Sequence, residues 1–181
     1  STQRPISSVK DFMGLRVRTT NSPVAQATLK EVGAVPVPLT LEQGQDALNE
    51  GEVDAAEATY IRVSSVIGDR SKFLNETEHS LFLTTILASN RFLERLTPAQ
   101  RAALERSALA AARIEREDSV ADGKRVRAEF EKNGVKVVRM SAAEEKMFRA
   151  KMNPVYQKFT PFVGKPLIDA IRAEAKPAKA L

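Results

Sequence analysis

The residues of this 181-residue chain that could do chemistry are few. His79 is the single histidine, cysteine is absent, and the eight glycines are scattered without forming a phosphate-cradling loop. Nucleophile–base arrangements built on histidine therefore depend on one residue, and thiolate metal sites, disulfides and cysteine nucleophiles are excluded. His79 precedes an apolar stretch, where a structural hydrogen bond near a strand end is the plainer role and ligand contact the alternative. Asp54 and Glu57 fall on opposite faces of an extended segment, so they do not make an acid–base pair. Glu144 and Glu145 open a predicted helix, and their charges are explained by its dipole. The Asn75-Glu76-Thr77 sequon is too short a pattern to carry weight. What stands out is a cation placed by topology. Arg18 ends the first predicted strand beside a helix start at Asn21-Ser22-Pro23, a position suited to holding a carboxylate by bidentate hydrogen bonds. Pairing with Glu57 for structure is the competing reading.

The elements that must position Arg18 follow from periodicity and capping chemistry. From Asp11 to Tyr60, short apolar runs alternate with amphipathic stretches, which predicts a parallel βαβαβ unit. Its strands are Leu15–Arg18, Val35–Val37 and Val53–Glu57. Ser22 caps the first helix and Pro23 fits its first position; Gly33 ends it; Thr40 and Gln43 form a capping box for the second, which stops before Gly51. In open parallel sheets ligands bind outside the carboxyl ends of the strands. Those ends hold Arg18, Pro38–Leu41 and Glu57–Tyr60.

Beyond Tyr60, Phe73–Ser89 reads as one long strand or two, with Leu81–Leu87 its apolar part. Thr97, Pro98 and Gln100 open a helix running to Lys132, about 50 Å long, with Gly123 a candidate bend. So long a helix suits a bridge between two lobes. A short strand at Val135–Val138 and a helix opened by Ser141 and Glu144 follow. Asn153-Pro154 interrupts that helix, Pro166–Ala175 makes a last one, and the tail from Lys176 frays.

Composition narrows the function classes. With 43% hydrophobic and 28% charged residues the chain has the make-up of a folded domain, and no apolar run reaches the roughly 20 residues a bilayer requires. The net charge of +5 mildly favours anionic partners. Nucleic acid is not indicated, because aromatics are only 6% and the Lys124, Arg125, Arg127 cluster shares its helix with Glu129 and Glu131, as a solvated face would. The N-terminal Ser-Thr-Gln-Arg-Pro lacks a signal peptide's apolar core, so a removed signal or a start within a longer product is expected.

Several motifs follow one another at a particular spacing: Gly14-Leu-Arg-Val-Arg18, Gly33-Ala-Val-Pro-Val-Pro38, Ala47-Leu-Asn-Glu-Gly-Glu-Val-Asp-Ala-Ala-Glu57, His79 through Leu87-Ala-Ser89 to Leu96-Thr-Pro98, and Asn153-Pro-Val-Tyr-Gln-Lys-Phe159. In these the chain resembles the DctP-type solute-binding proteins of TRAP (tripartite ATP-independent periplasmic) transporters. That resemblance implies an α/β fold: a periplasmic-binding-protein-like lobe with a βαβαβ core and a long bridging helix, in an incomplete two-lobe architecture. Residues 1–80 with 124–181 would form the second, ligand-binding lobe, and 81–123 the remnant of the first lobe and the inter-lobe connection. The implied function is periplasmic binding of a small organic acid and its delivery to the membrane permease; the residues predict no cofactor or metal site, whether a cation accompanies the acid is left open, and the want of any convergent set of reactive side chains argues against an enzyme.

Arg18 matches the family's carboxylate-binding arginine. Asn21 matches a position that in some members faces ligand, with helix capping the alternative. Leu41 stands where an aromatic is common, its plainer role being helix packing. Glu57 matches the family's glutamate, and Ala58 replaces an asparagine or tryptophan that many members turn to the ligand. Tyr60 is a neighbouring candidate for contact. The alternative to solute binding is a structural or interaction fragment without binding of its own, and self-association through an exposed sheet edge is expected.

Overall fold

A computed structural model of the chain describes residues 1, 4–66 and 71–174. After a 3-10 turn at Val9–Phe12, the chain runs β1 (Arg16–Thr19), α1 (Pro23–Glu31), β2 (Val35–Pro38), α2 (Leu41–Glu50) and β3 (Ala55–Ala56). The three strands are parallel in the order β2-β1-β3, so the expected βαβαβ unit is present with β1 at its centre. Its punctuation is the one written in the sequence. Ser22 Oγ accepts from the Ala25 N–H, with Pro23 at the start of α1. Thr40 and Gln43 cap α2 reciprocally, and Gly33 and Gly51 adopt the left-handed conformation, φ +83° and +77°, that closes each helix. The third strand is shorter than the expected Val53–Glu57. Its flanks remain tied to β1, the Asp54 N–H donating to the Arg16 carbonyl and the Glu57 N–H to that of Arg18.

Alternation along β1 sorts side chains onto two faces. Leu15 and Val17 enter a core with Leu29 and Val32 of α1 and with Met140, Phe148, Met152 and Val155 from later in the chain. Arg18 points the other way, toward α2, where Ala47, Leu48 and Val53 pack with Leu39 and Leu41.

The remaining elements are α3 (Tyr60–Val66), β4 (Phe73–Glu76), α4 (Asn90–Leu93), α5 (Pro98–Lys132), β5 (Lys136–Arg139), α6 (Ala142–Lys151), α7 (Asn153–Val163) and α8 (Lys165–Glu174). Strands β4 and β5 pair in parallel as a second, two-stranded sheet. Val126 and Phe130 of α5 pack there with Val63 of α3 and with Leu74. These are the only buried residues of α5, and no residue from 81 to 123 is buried.

One expectation needs correction. Phe73–Ser89 is not a strand throughout: β4 ends at Glu76, and 77–89 has no regular structure. High strand propensity needs a ladder partner to be realised, and no described strand lies beside Leu81–Leu87, whose ends are 81% and 86% exposed. Helix α5 is continuous through Gly123, which lies against the Tyr60 ring at 3.6 Å from where a Cβ would stand. The expected break before Pro154 does occur, α6 ending at Lys151 and α7 starting at Asn153. Glu144 does more than oppose a dipole, since its Oε2 accepts from the Val9 N–H at 2.7 Å and ties α6 to the first turn. The expected frayed tail lies outside the described residues.

Candidate functional site

The carboxyl ends of β1, β2 and β3 converge on one buried guanidinium. Register places Arg18 beside Val37 of β2 and Ala56 of β3, and the Leu39 N–H donates to the Thr19 carbonyl, pinning the β2–α2 connection to the end of β1. The Arg18 side chain, in a residue only 4% exposed, then spans both neighbours. Its Nε and Nη2 donate to the Leu39 carbonyl at 2.9 and 2.6 Å, and Nη1 donates to the Glu57 carbonyl at 3.2 Å. Three of a guanidinium's five N–H groups are thereby engaged, and the other two have no partner among the described residues. Burial lowers the Arg18 pKa, the Glu57 charge opposing that shift and the Arg62 charge adding to it, yet a guanidinium stays ionised at any ordinary pH. Carbonyl oxygens orient this cation without neutralising it.

The expected side-chain pairing of Arg18 with Glu57 is not formed. The Glu57 carboxylate instead accepts from the Thr19 hydroxyl and from His79 Nε2, the latter at 2.8 Å. His79 Nδ1 lies 2.7 Å from the Thr77 hydroxyl. An ionised carboxylate only accepts, so in the neutral imidazole Nε2 carries the proton and Nδ1 accepts from Thr77. Burial alone would raise the Glu57 pKa, but the bonds from His79 and Thr19 hold it below the usual glutamate value. His79 therefore plays the structural part anticipated for it, its ring also 6.3 Å from that of Phe148.

The other candidates separate. Ala58 is exposed next to Glu57, and Asn21 is exposed beyond Thr19; Ser22, not Asn21, caps α1. Leu41 packs with Leu48 and Val53, the plainer of its two roles. Tyr60 donates its hydroxyl to Glu76. Arg127, expected on a solvated face, reaches the same Glu76 at 2.9 Å. Arg16 and Asp54 pair at the opposite ends of the strands, at 2.7 Å. A cavity of about 180 Å³ also lies at that end, lined by Arg4, Gly14, Leu15 and Asp54, well removed from the Arg18 network.

Two residues escaped the sequence reading. Thr19 is completely buried behind the Glu57 carboxylate, and only its place at the strand end hinted at a role. Gly44 lies in α2 directly against Arg18: a Cβ there would stand 2.7 Å from Arg18 Cγ and 3.0 Å from Cδ. A glycine inside a helix is the signal that marks such a close approach.

Residues 1–161 match the profile of the DctP family, described as bacterial extracellular solute-binding protein, family 7. The chain belongs to this family. Among its relatives, the ectoine-binding periplasmic protein TeaA of Halomonas elongata is 26% identical over 178 residues, 95% of this chain and 52% of that protein. The 2,3-diketo-L-gulonate-binding periplasmic protein YiaO of Escherichia coli is 27% identical over 139 residues, 76% of this chain and 42% of that protein. A TRAP periplasmic solute-binding protein from Roseobacter denitrificans, solved with β-D-glucuronate, superposes with a TM-score of 0.86 at 26% identity, covering 94% of this chain and 57% of the other. One from a Bradyrhizobium species, in complex with D-galacturonate, gives 0.78 at 28% identity, covering 95% and 56%. The chain thus spans about half the length of the DctP relatives it matches, and its fold is a TRAP solute-binding lobe in an incomplete two-lobe architecture. Membership in this family of transport solute-binding proteins makes it a periplasmic protein; no described helix is long and apolar enough to cross a membrane.

Proposed function

We propose that this chain binds a small organic acid through its carboxylate at Arg18, as part of a TRAP solute-binding protein that hands the acid to the membrane permease. The observation that carries this reading is the state of the Arg18 guanidinium. It is buried at the carboxyl ends of the three strands, held in place by two backbone carbonyls, and left with its full charge and two N–H groups without a described partner. An ion desolvated this far gains from an anion that offers two parallel acceptors. Two relatives that share its DctP fold, at 26% and 28% identity, were solved with uronates, whose carboxylate is of the kind required. Asn21 and Ala58, exposed on the connections beside Arg18, are assigned to the ligand-facing rim, and Glu57 to fixing that rim from below. The role is binding without catalysis.

Residues 1–80 and 124–181 form the ligand-binding lobe in this reading, and 81–123 belong to the first lobe and the connection. Support comes from the three core clusters, whose buried members lie wholly outside 81–123. Self-association through an exposed sheet edge is part of this reading: β2 and β3 stand at the edges of the three-stranded sheet, and the exposed apolar segment Leu81–Leu87 adds surface that another copy would cover. The competing reading, an interaction fragment without solute binding, draws on the chain's spanning only half of its relatives. A thermal-shift screen of monocarboxylates, dicarboxylates and uronates separates the two, because a ligand selective for the native state adds about 2.7 kcal/mol of stability at a hundredfold excess over its Kd. Stabilisation by an acid, absent with the matching neutral sugar or amide, supports binding; none across the screen supports the fragment.

A further inference from the structure

A second polar cluster centres on Glu76, three residues before His79. Glu76, the last residue of β4, has a side chain only 4% exposed, and three donors from three elements converge on it. The Tyr60 hydroxyl, from the first residue of α3, and Arg127 Nε of α5, at 2.9 Å, donate to Oε1; Arg139 Nε, from the last residue of β5, donates to Oε2. Arg127 also pairs with Glu131 at 3.2 Å. A carboxylate buried under two cations and a phenol is held to one position, and so is the backbone that carries it.

That backbone leads directly into strain. Glu78 has φ +45°, making it the one non-glycine residue with positive φ among the described residues. A side chain in the left-handed region is strained, and such a conformation persists only where the structure on both sides over-determines it. On one side stands Glu76 with its three donors. On the other, Thr77 and His79 bond each other at 2.7 Å, and His79 bonds Glu57 at 2.8 Å. Glu57 in turn supplies one of the carbonyls that hold Arg18.

We propose that Glu76 is a positioning residue: gripped by Tyr60, Arg127 and Arg139, it holds the turn at Glu78 in its left-handed conformation and so delivers His79 to Glu57, whose carbonyl holds Arg18. Because Arg127 belongs to α5, the same grip ties the 35-residue helix to this network. The importance of this for solute rests on the reading of Arg18 as the anion site, but the positioning itself does not.

The test uses His79 as the chain's single histidine. Two-bond proton–nitrogen NMR spectra of the ligand-free protein report its tautomer. The native protein is expected to show one tautomer, protonated at Nε2. In Glu76→Gln the spectrum should move to a mixture of tautomers, with the Nε2 proton exchanging about tenfold faster or more. In Glu76→Gln/Glu78→Gly, where the turn no longer needs holding, the single tautomer should return, a rescue that general loosening of the fold would not give. A single tautomer in folded Glu76→Gln, or no recovery in the double variant, overturns the proposal. If Glu76→Gln fails to fold, Arg139→Gln decides the matter, since it removes one donor from a side chain that is 43% exposed: a shift toward mixed tautomers supports the positioning role and an unchanged spectrum overturns it. Absence of acid binding in the native protein would defeat the proposed function while leaving the His79 result standing.

Discussion

Replacing Gly44 by alanine isolates the orientation of Arg18 from its charge. The added methyl would stand 2.7 Å from Arg18 Cγ, 3.0 Å from Cδ and 3.3 Å from Nε, whereas carbon atoms in contact settle near 3.5–4.0 Å. The arginine stem must therefore retreat by about 1 Å, and the Nε–Leu39 bond, now 2.9 Å, would pass the limit at which a hydrogen bond persists. Two effects on stability oppose each other. Overpacking costs about 1–3 kcal/mol, and alanine in place of glycine inside a helix contributes about 0.5–1 kcal/mol in return. The melting temperature should fall by only a few degrees. Binding is not compensated in this way, because a displaced guanidinium gives up one charge-assisted bond worth about 1.5–3 kcal/mol, or roughly ten- to a hundredfold in affinity. Calorimetric titration with β-D-glucuronate, or with whichever acid leads the screen, measures that loss beside a thermal melt. Unchanged affinity in a folded Gly44→Ala protein would refute the claim that this glycine sets the arginine.

Acid should destabilise the fold in a defined window. Glu57 and Glu76 both have pKa values held below the ordinary glutamate value, so their contribution is complete above an unfolded value of about 4.3 and is lost as pH falls through the lower folded values. Denaturation midpoints at pH 7 and pH 3.5 should show a smaller difference in Glu57→Gln than in the native chain; an identical difference would contradict the assignment. Sedimentation at high micromolar concentration should detect species larger than a monomer, driven by the exposed segment Leu81–Leu87, and a clean monomer would remove the case for self-association. Supplying the half of a DctP relative that this chain does not span should raise acid affinity more than any substitution in the exposed part of α5, since one wall of a cleft leaves its ligand hydrated. Equal affinities with and without that half would contradict the cleft reading.

The first 60 residues were legible because each boundary there is set by local chemistry. Ser22 with Pro23, Thr40 with Gln43, and the left-handed Gly33 and Gly51 need no tertiary partner to state their role. The segment after Glu76 was misread for the opposite reason. Strand propensity in Leu81–Leu87 is local, whereas a strand exists only through its neighbour, and none of the described strands supplies one. The placement of Arg18 at a strand's carboxyl end was legible, but its pairing was not. Strand-end logic places Arg18, yet it cannot say that the Glu57 carbonyl rather than its carboxylate meets the guanidinium. That outcome depends on His79 and Thr19 capturing the carboxylate, contacts 22 and 38 residues away in sequence. Tyr60 was drawn off in the same manner by a buried glutamate that sequence gave no reason to single out.

Arg18→Lys tests most directly whether Arg18 meets a carboxylate. Lysine keeps the charge but loses the planar fork, so two parallel bonds to the acid become one ammonium contact. In the native chain and in Arg18→Lys, acid affinity is measured by calorimetry and folding by thermal melt. Affinity should fall about ten- to a hundredfold, while melting changes only by the modest loss of bonds to the Leu39 and Glu57 carbonyls. An Arg18→Lys protein that melts lower but binds the acid as tightly as the native chain would show that Arg18 serves the fold alone.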